Sequence, residues 1–167
     1  MHELGVHKQH VNRLLEPFLP IKVVVTATEW SNFFRLRLAE DAQPEIQMLA
    51  ACMAEAMSKA KVQRYGLHIP YLTEEETERL ITDHGDYHLP MKISAARCAR
   101  VSYYKHDGKR PTAEEDLELA ERLVHSRHLT PFEHPAQDCL SAEEACANFR
   151  GWCSMRYEME PFYDKKN

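Results

Sequence analysis

The stretch IKVVVTATEWSNFFRLRLAEDAQPEIQMLAACMAEAM, residues 21–57, decides the fold class. It opens with a continuous β-branched run, Ile21 to Val25, of the kind shown by strands buried on both faces. Thr28 then offers a side-chain oxygen as a helix N-cap, and Trp30, Phe33, Phe34 and Leu36 follow at helical spacing. Pro44 stands where a second helix would begin, because its missing N–H is one that a first turn leaves unpaired anyway. A strand passing into a helical hairpin predicts a mixed α/β fold, rich in helix.

Upstream, residues 3–16 (ELGVHKQHVNRLLE) place Leu4, Val11, Leu14 and Leu15 on one helical face, and Pro17 closes the segment. Downstream, residues 61–90 lack a long apolar period and carry Gly66, Pro70, Gly85 and Pro90. They read as a surface connector with one capped polar helix between Thr73 and His84. Residues Ile93 to Tyr103 and Ala113 to His125 read as two more helices, separated by the turn-forming KHDGKRP. The acidic start of the second complements its dipole. A last helix is expected from Ala142 to Tyr157. The expected organisation is one domain with an arginine-bearing half (1–62), a connector (63–90) and a second half (91–167). No repeat of fixed period occurs, which excludes a solenoid.

A chain of 167 residues, 44% hydrophobic and 28% charged, has the composition of a globular domain and not of a disordered tail. No run approaches the roughly 18 apolar residues of a membrane span, and MHELGVHKQH has no signal-peptide core, so a cytoplasmic location is expected. Lys plus Arg total 21 against 26 Asp plus Glu, a net charge of −5, which leaves no basic excess for a nucleic-acid backbone. The five cysteines include no C-x-x-C pair, arguing against a zinc ribbon or disulfide framework. Cys139, Cys146 and Cys153 recur every seven residues, so the last two would share a helix face and pack as small hydrophobes. His7 with His10, and His125 with His128, are i,i+3 pairs lacking an evident third ligand, and no metal site is expected.

Residues 91–134 contain ISAARCARVSY, then EEDLELAERLVHSRH, then HLTPFEH. That order resembles the N-terminal part of flavin-dependent thymidylate synthases, with S/T-P-F-E-H the specific element. Residues 5–50, GVHKQHVNRLLEPF followed by VVVTATEWSNFFRLR and AQPEIQMLA, resemble the same family's C-terminal part. The two blocks stand in the reverse of the common order, as in a rearranged, phage-type branch whose signature R-H-R-x-x-S-x-N-x-x-S-x-R comes first. The nearest stretch to that signature here is NFRGWCSMRYEME, Asn148 to Glu160. It keeps Trp152 and Arg156 but has Ser154 and Met155 where the common form has arginine and histidine. On this resemblance the fold is that of the family in incomplete form: a C-terminal portion, a split-gene product or a decayed copy.

The resemblance implies methylation of dUMP to dTMP, with methylenetetrahydrofolate as carbon donor, FAD as hydride carrier and NADPH as reductant. Uracil C5 is a weak nucleophile. A fixed cation beside the ring stabilises charge as the N3 proton is lost, and one preorganised donor is worth about 3 kcal/mol. Arg37, closing F-F-R-L-R, matches the family arginine in that catalytic, substrate-binding role, set against a pyrimidine beside the flavin. Arg13, in V-N-R-L-L-E-P, matches a second dUMP-binding arginine. Thr130 and Asn32 match positions that hydrogen-bond FAD, His128 a histidine lining the flavin pocket, and Ser102 a flavin-contacting serine.

Each has a plainer reading: a solvated helix arginine for Arg37, an i,i+3 pair with Glu16 for Arg13, a turn cap for Thr130, a helix-end histidine for His128 and a structural serine for Ser102. Thr26 and Thr28 stand where the family often has asparagine and arginine, and Asp41 replaces a histidine. The family's sites form between subunits, so the resemblance also implies a homo-oligomer, commonly a tetramer, or a partner chain supplying the signature segment. The alternatives are a non-catalytic subunit that binds nucleotide or flavin, and a decayed remnant.

Overall fold

The computed structural model describes residues 10, 13, 18–61, 66–101, 111–139, 145–146 and 149–164. Of the expected helix over 3–16, His10 and Arg13 are helical, and the rest lies outside the described residues, as does Ser102.

The helical hairpin forms as expected. Helix α1 (Ser31–Arg37) leads to α2 (Pro44–Lys59), with Pro44 in its first turn. Trp30, Phe33 and Phe34 hold the hairpin's entrance together by edge and tilted ring contacts, with centroids 5.4–6.1 Å apart. The expected strand before it does not form. Residues 21–27 carry no ladder pairing, and Ile21, Val23 and Val25 are 77%, 67% and 61% exposed. A β-branched run favours extended backbone, but becomes a buried strand only where a neighbouring strand and a covering layer exist. Thr28 does not cap α1 either, whose N-cap is Trp30. Its hydroxyl instead accepts the Arg150 amide at 3.0 Å.

The sheet is built from later residues: β1 (Leu67–His68), β2 (Ala136–Asp138) and β5 (Trp152–Ser154), antiparallel in the order β1-β2-β5. Leu67 faces Gln137, and Ala136 faces Ser154. A second antiparallel pair joins β3 (Ala145–Cys146) to β4 (Phe149–Arg150). Gly66 makes the entry to β1 possible. Its φ is +60°, and a Cβ there would meet the Asp138 carboxylate at 2.5 Å, so any other residue would be strained and would have to push that exposed side chain aside. The fold class is therefore the expected helix-rich α/β mixture, with its strands at different places.

Residues 66–90 are not a surface connector. Leu67, Ile69, Leu72 and Leu80 belong to the main core. Helix α3 (Glu74–His84) starts with a full Thr73–Glu76 capping box and stops at the left-handed Gly85, as the sequence predicts. Helix α4 (His88–Ala99) begins earlier than expected, with Pro90 in its first turn, where no intrahelical donor is required. It is the central element: Pro90, Met91, Ile93, Ser94, Ala95, Ala96 and Cys98 are all buried. Helix α5 spans Ala113–His125, as the sequence predicts, behind a second capping box from Thr112 to Glu115.

An ionic network ties these helices. Fully buried Asp116 accepts from Arg97 Nε at 3.0 Å and from Arg100 Nη1. Arg97 also reaches the Tyr71 carbonyl at 2.8 Å and Glu76 at 3.1 Å, and Arg100 the Glu115 carbonyl at 3.1 Å. Among the described residues the one fully buried charge, Asp116, thus has partners, the condition for tolerating it there. Burial opposes ionisation of Glu76, but the Thr73 amide and the Arg97 guanidinium outweigh it and hold the carboxyl below its ordinary range.

The expected last helix is replaced over much of its length. Strands occupy Ala145–Cys146, Phe149–Arg150 and Trp152–Ser154, and helix α6 runs from Met155 to Asp164. Cys146 and Cys153 are therefore strand residues and share no helix face. Cys153 is half-buried, while burial pushes the Cys98 thiol up to about 12.

Candidate functional site

A polar cavity of about 260 Å³ opens where segments more than 100 residues apart meet. Its lining comes from Thr26 in the extended segment before α1, Glu133 and His134 at the T-P-F-E-H element, Phe149 in β4 and Ser154 in β5. Arg156, Tyr157 and Glu160 in α6 complete it. Short-range sequence features set these positions. Pro131 initiates a 3-10 turn over Thr130–Glu133, and the fully buried Phe132 anchors that turn in the core. Met155, also buried, donates its amide to the Pro135 carbonyl at 2.9 Å, fixing the start of α6 against the same turn.

One guanidinium serves two carboxylates in this cavity. Arg156 donates through Nε to Glu160 at 2.7 Å and through Nη1 to Glu133. Thr26 Oγ1 and His134 Nδ1 are 3.0 Å apart. Burial lowers the His134 pKa, with Glu133 partly opposing. The His68 pKa is lowered by burial first and by His134 second. Both imidazoles are thus biased towards the neutral form, and two carboxylates against one guanidinium leave the lining net negative.

None of the residues given a catalytic or binding role from the sequence lines the cavity, although Thr26, Ser154 and Arg156, named only in comparison with family motifs, do. Arg37 ends α1, exposed and without a hydrogen bond or ion pair among the described residues. Asn32, on the same helix, is exposed and accepts from Arg35 Nη2 at 2.7 Å. Arg13 is exposed in helical backbone. His128 is exposed, its Nδ1 2.9 Å from the Ser126 hydroxyl. Thr130 is exposed at the start of the 3-10 turn and makes no side-chain cap.

What the structure does join is the sequence blocks themselves. Thr26 of the 5–50 block reaches His134 of the 91–134 block, while Thr28 and Glu29 reach Arg150 in the signature-like stretch, the ion pair at 3.2 Å. Glu133 and His134 are the site residues the sequence reading missed, and Arg156 is one it named without giving it a role. Glu133 and His134 sat inside the quoted T-P-F-E-H motif, and the signal there was titratable side chains just after the buried Phe132. Among the described residues no group of three or more potential ligands could hold a metal ion, and no helix is long and apolar enough to cross a membrane.

Fold and cavity together define a helix-rich α/β protein with a polar site of small-molecule size. Residues 2–61 match the family model Thy1, thymidylate synthase complementing protein. No curated protein and no solved structure matches the chain. The family match supports a thymidylate-synthase type of function in general.

Proposed function

We propose that the chain takes part in flavin-dependent methylation of dUMP to dTMP in the cytoplasm, using methylenetetrahydrofolate and NADPH. The observation that carries this reading is the family match over residues 2–61, which contains Arg13, Asn32 and Arg37. Arg37 is exposed at the end of α1, as its plainer reading as a solvated helix arginine expects, with Arg35 in the same last turn, so its role here rests on the family match alone. An exposed guanidinium can donate to a nucleotide's phosphate or base oxygens in bidentate fashion.

In this reading Arg37 binds dUMP and holds positive charge against the pyrimidine, and Arg13 adds a second donor. Thr130, His128 and Asn32, all exposed, are the flavin-side contacts, and reduced flavin would supply the hydride. The cavity does not fit FAD. At about 260 Å³ it lies below the usual range for drug-sized ligands, and its net negative lining opposes a pyrophosphate. A flavin would therefore lie outside that cavity, against the exposed residues, and an exposed site of this kind calls for a second chain, in a homotetramer or with a signature-bearing partner.

A second reading, a nucleotide- or flavin-binding subunit without turnover, is favoured by one observation. Arg156, the arginine retained in the signature-like stretch, is committed to Glu133 and Glu160.

The test mixes purified full chain with FAD and dUMP, with and without a signature-bearing partner, and follows flavin absorbance and fluorescence. The proposal expects a flavin spectral change that dUMP modulates, and tritium release from [5-³H]dUMP once the folate and NADPH are added. Binding without release supports the second reading; no spectral change in any mixture contradicts both.

A further inference from the structure

Helix α2 has two unlike sides. Ile46, Ala50, Met53 and Ala54, at helical spacing, make the covered side, with Ala50 fully buried. The opposite side carries Glu45, Met48, Leu49, Cys52, Ala56 and Lys59, all exposed, with Met48 at 71% and Leu49 at 53%. This side is symmetric about Cys52 in position and opposite in charge. Glu45 stands seven residues before Cys52 and Lys59 seven after it, while Met48 and Ala56 stand four before and four after. Four and seven residues are close to one and two turns of an α-helix, so these side chains follow one line along the exposed side. Along that line the helix presents an acid, an apolar centre and a base.

We propose that this side of α2 pairs with α2 of a second copy of the chain, antiparallel, about a two-fold axis at Cys52. Turning the helix end for end about that residue sets Glu45 against the partner's Lys59, Met48 against the partner's Ala56, and Cys52 against its own counterpart. Both charged ends are matched at once, and a single self-complementary patch is what a two-fold contact requires. Lys59 already pairs with Glu55 of its own chain at 2.5 Å, so Glu45 of the second copy joins a formed ion pair. Cys52 and Ala56 are small and let two helix axes approach closely, while Met48 and Leu49 fill the space beside them. One helix pair lies at the small end of specific interfaces, so the contact is reversible. The thymidylate reading calls for a second chain without saying which surface meets it; the α2 contact supplies that surface and holds whether or not dUMP binds.

The test is sedimentation equilibrium of the full chain under reducing conditions, with Cys52→Glu and Cys52→Lys variants measured alone and mixed. Both new side chains favour helix at an exposed position, so circular dichroism should match wild type. At about 100 μM, a concentration suited to a small interface, wild type should sediment as an even-numbered assembly. Each variant alone sets like charges together on the axis and should weaken the contact at least about tenfold, halving the assembly. An equimolar mixture of the two should restore it, because opposite charges then meet. A monomeric or odd-numbered wild type, a variant that keeps the wild-type mass, or a mixture that stays at the mass of the separate variants overturns the proposal. If dUMP and FAD bind while any of these is found, this inference alone fails. If the α2 contact behaves as described while neither dUMP nor FAD binds, the thymidylate reading fails and the contact stands.

Discussion

Residues 18–59 and residues 66–159 treat apolar surface in opposite ways. In the later region Phe132, Met91 and Ile93 are fully buried around α4. In the earlier region Ala50 is the one buried hydrophobic among the described residues, while Phe18, Ile21, Val23, Val25 and Met48 are 61–82% exposed. Scattered exposed apolar residues are ordinary, but Ile21, Val23 and Val25 stand at alternate positions of one extended segment and are left exposed among the described residues. The family match covers the exposed region, whereas the core lies in the other. Stability and the proposed nucleotide chemistry therefore reside in different stretches of chain, joined at Thr26–His134 and Thr28–Arg150.

Substitutions can break that contrast, and the largest effect belongs to the later region. Asp116→Ala should destabilise the fold by about 3–5 kcal/mol, because it strands two guanidinium groups that α4 holds against a carboxylate. Phe132→Ala should cost a similar ~3–5 kcal/mol through the cavity it leaves beneath the T-P-F-E-H turn. Urea unfolding followed by circular dichroism measures both. A loss under 1 kcal/mol in either would place the core elsewhere. Gly66→Ala should cost about 1–3 kcal/mol in the same assay, from the positive φ and the Asp138 contact together.

Acid should act through two imidazoles, His134 in the cavity lining and His68 in β1. The folded-state pKa values of His68 and His134 lie below the ordinary 6.5, so the unfolded chain takes up protons first as pH falls. Their contribution to stability is complete above pH 6.5 and is lost as pH drops below that value towards the lowered pKa values. Thermal midpoints from pH 7.5 to 5 should fall, and fall less in a His134→Gln variant; a rise on acidification would reverse the assigned direction. The smallest effect belongs to the exposed face. Val23→Ser should change stability by less than about 0.5 kcal/mol, as surface changes do. A loss near 2 kcal/mol would show that this segment is buried in the folded protein in solution.

The legible and illegible parts of the sequence divide along physical lines. Helix α5 was readable to its end residues because Thr112, Glu115 and the spacing of Leu117, Ala120 and Val124 all point the same way. The α3 cap and Pro44 at the start of α2 were equally local signals. Ile21 to Val25 misled because β-branching reports a preference for extended backbone, and says nothing about whether a partner strand exists. Residues 145–154 misled because strands of two or three residues are too short to show a period, and Cys146 and Cys153 mimicked a helical one. The cavity was invisible as a unit: Thr26, Glu133 and Arg156 are brought together only by tertiary structure. The resemblance found the right motifs, T-P-F-E-H among them, but named the exposed Thr130 and His128 and passed over Glu133 and His134 beside them.

The central claim is that Arg37 offers its free guanidinium to a nucleotide. Calorimetric titration of dUMP into the full chain and into Arg37→Ala tests it most directly. The account predicts saturable binding that weakens at least about tenfold in the variant, as expected for a charge-assisted bidentate contact, with FAD content nearly unchanged. Equal dUMP affinity in the two proteins, or none in either, would contradict it.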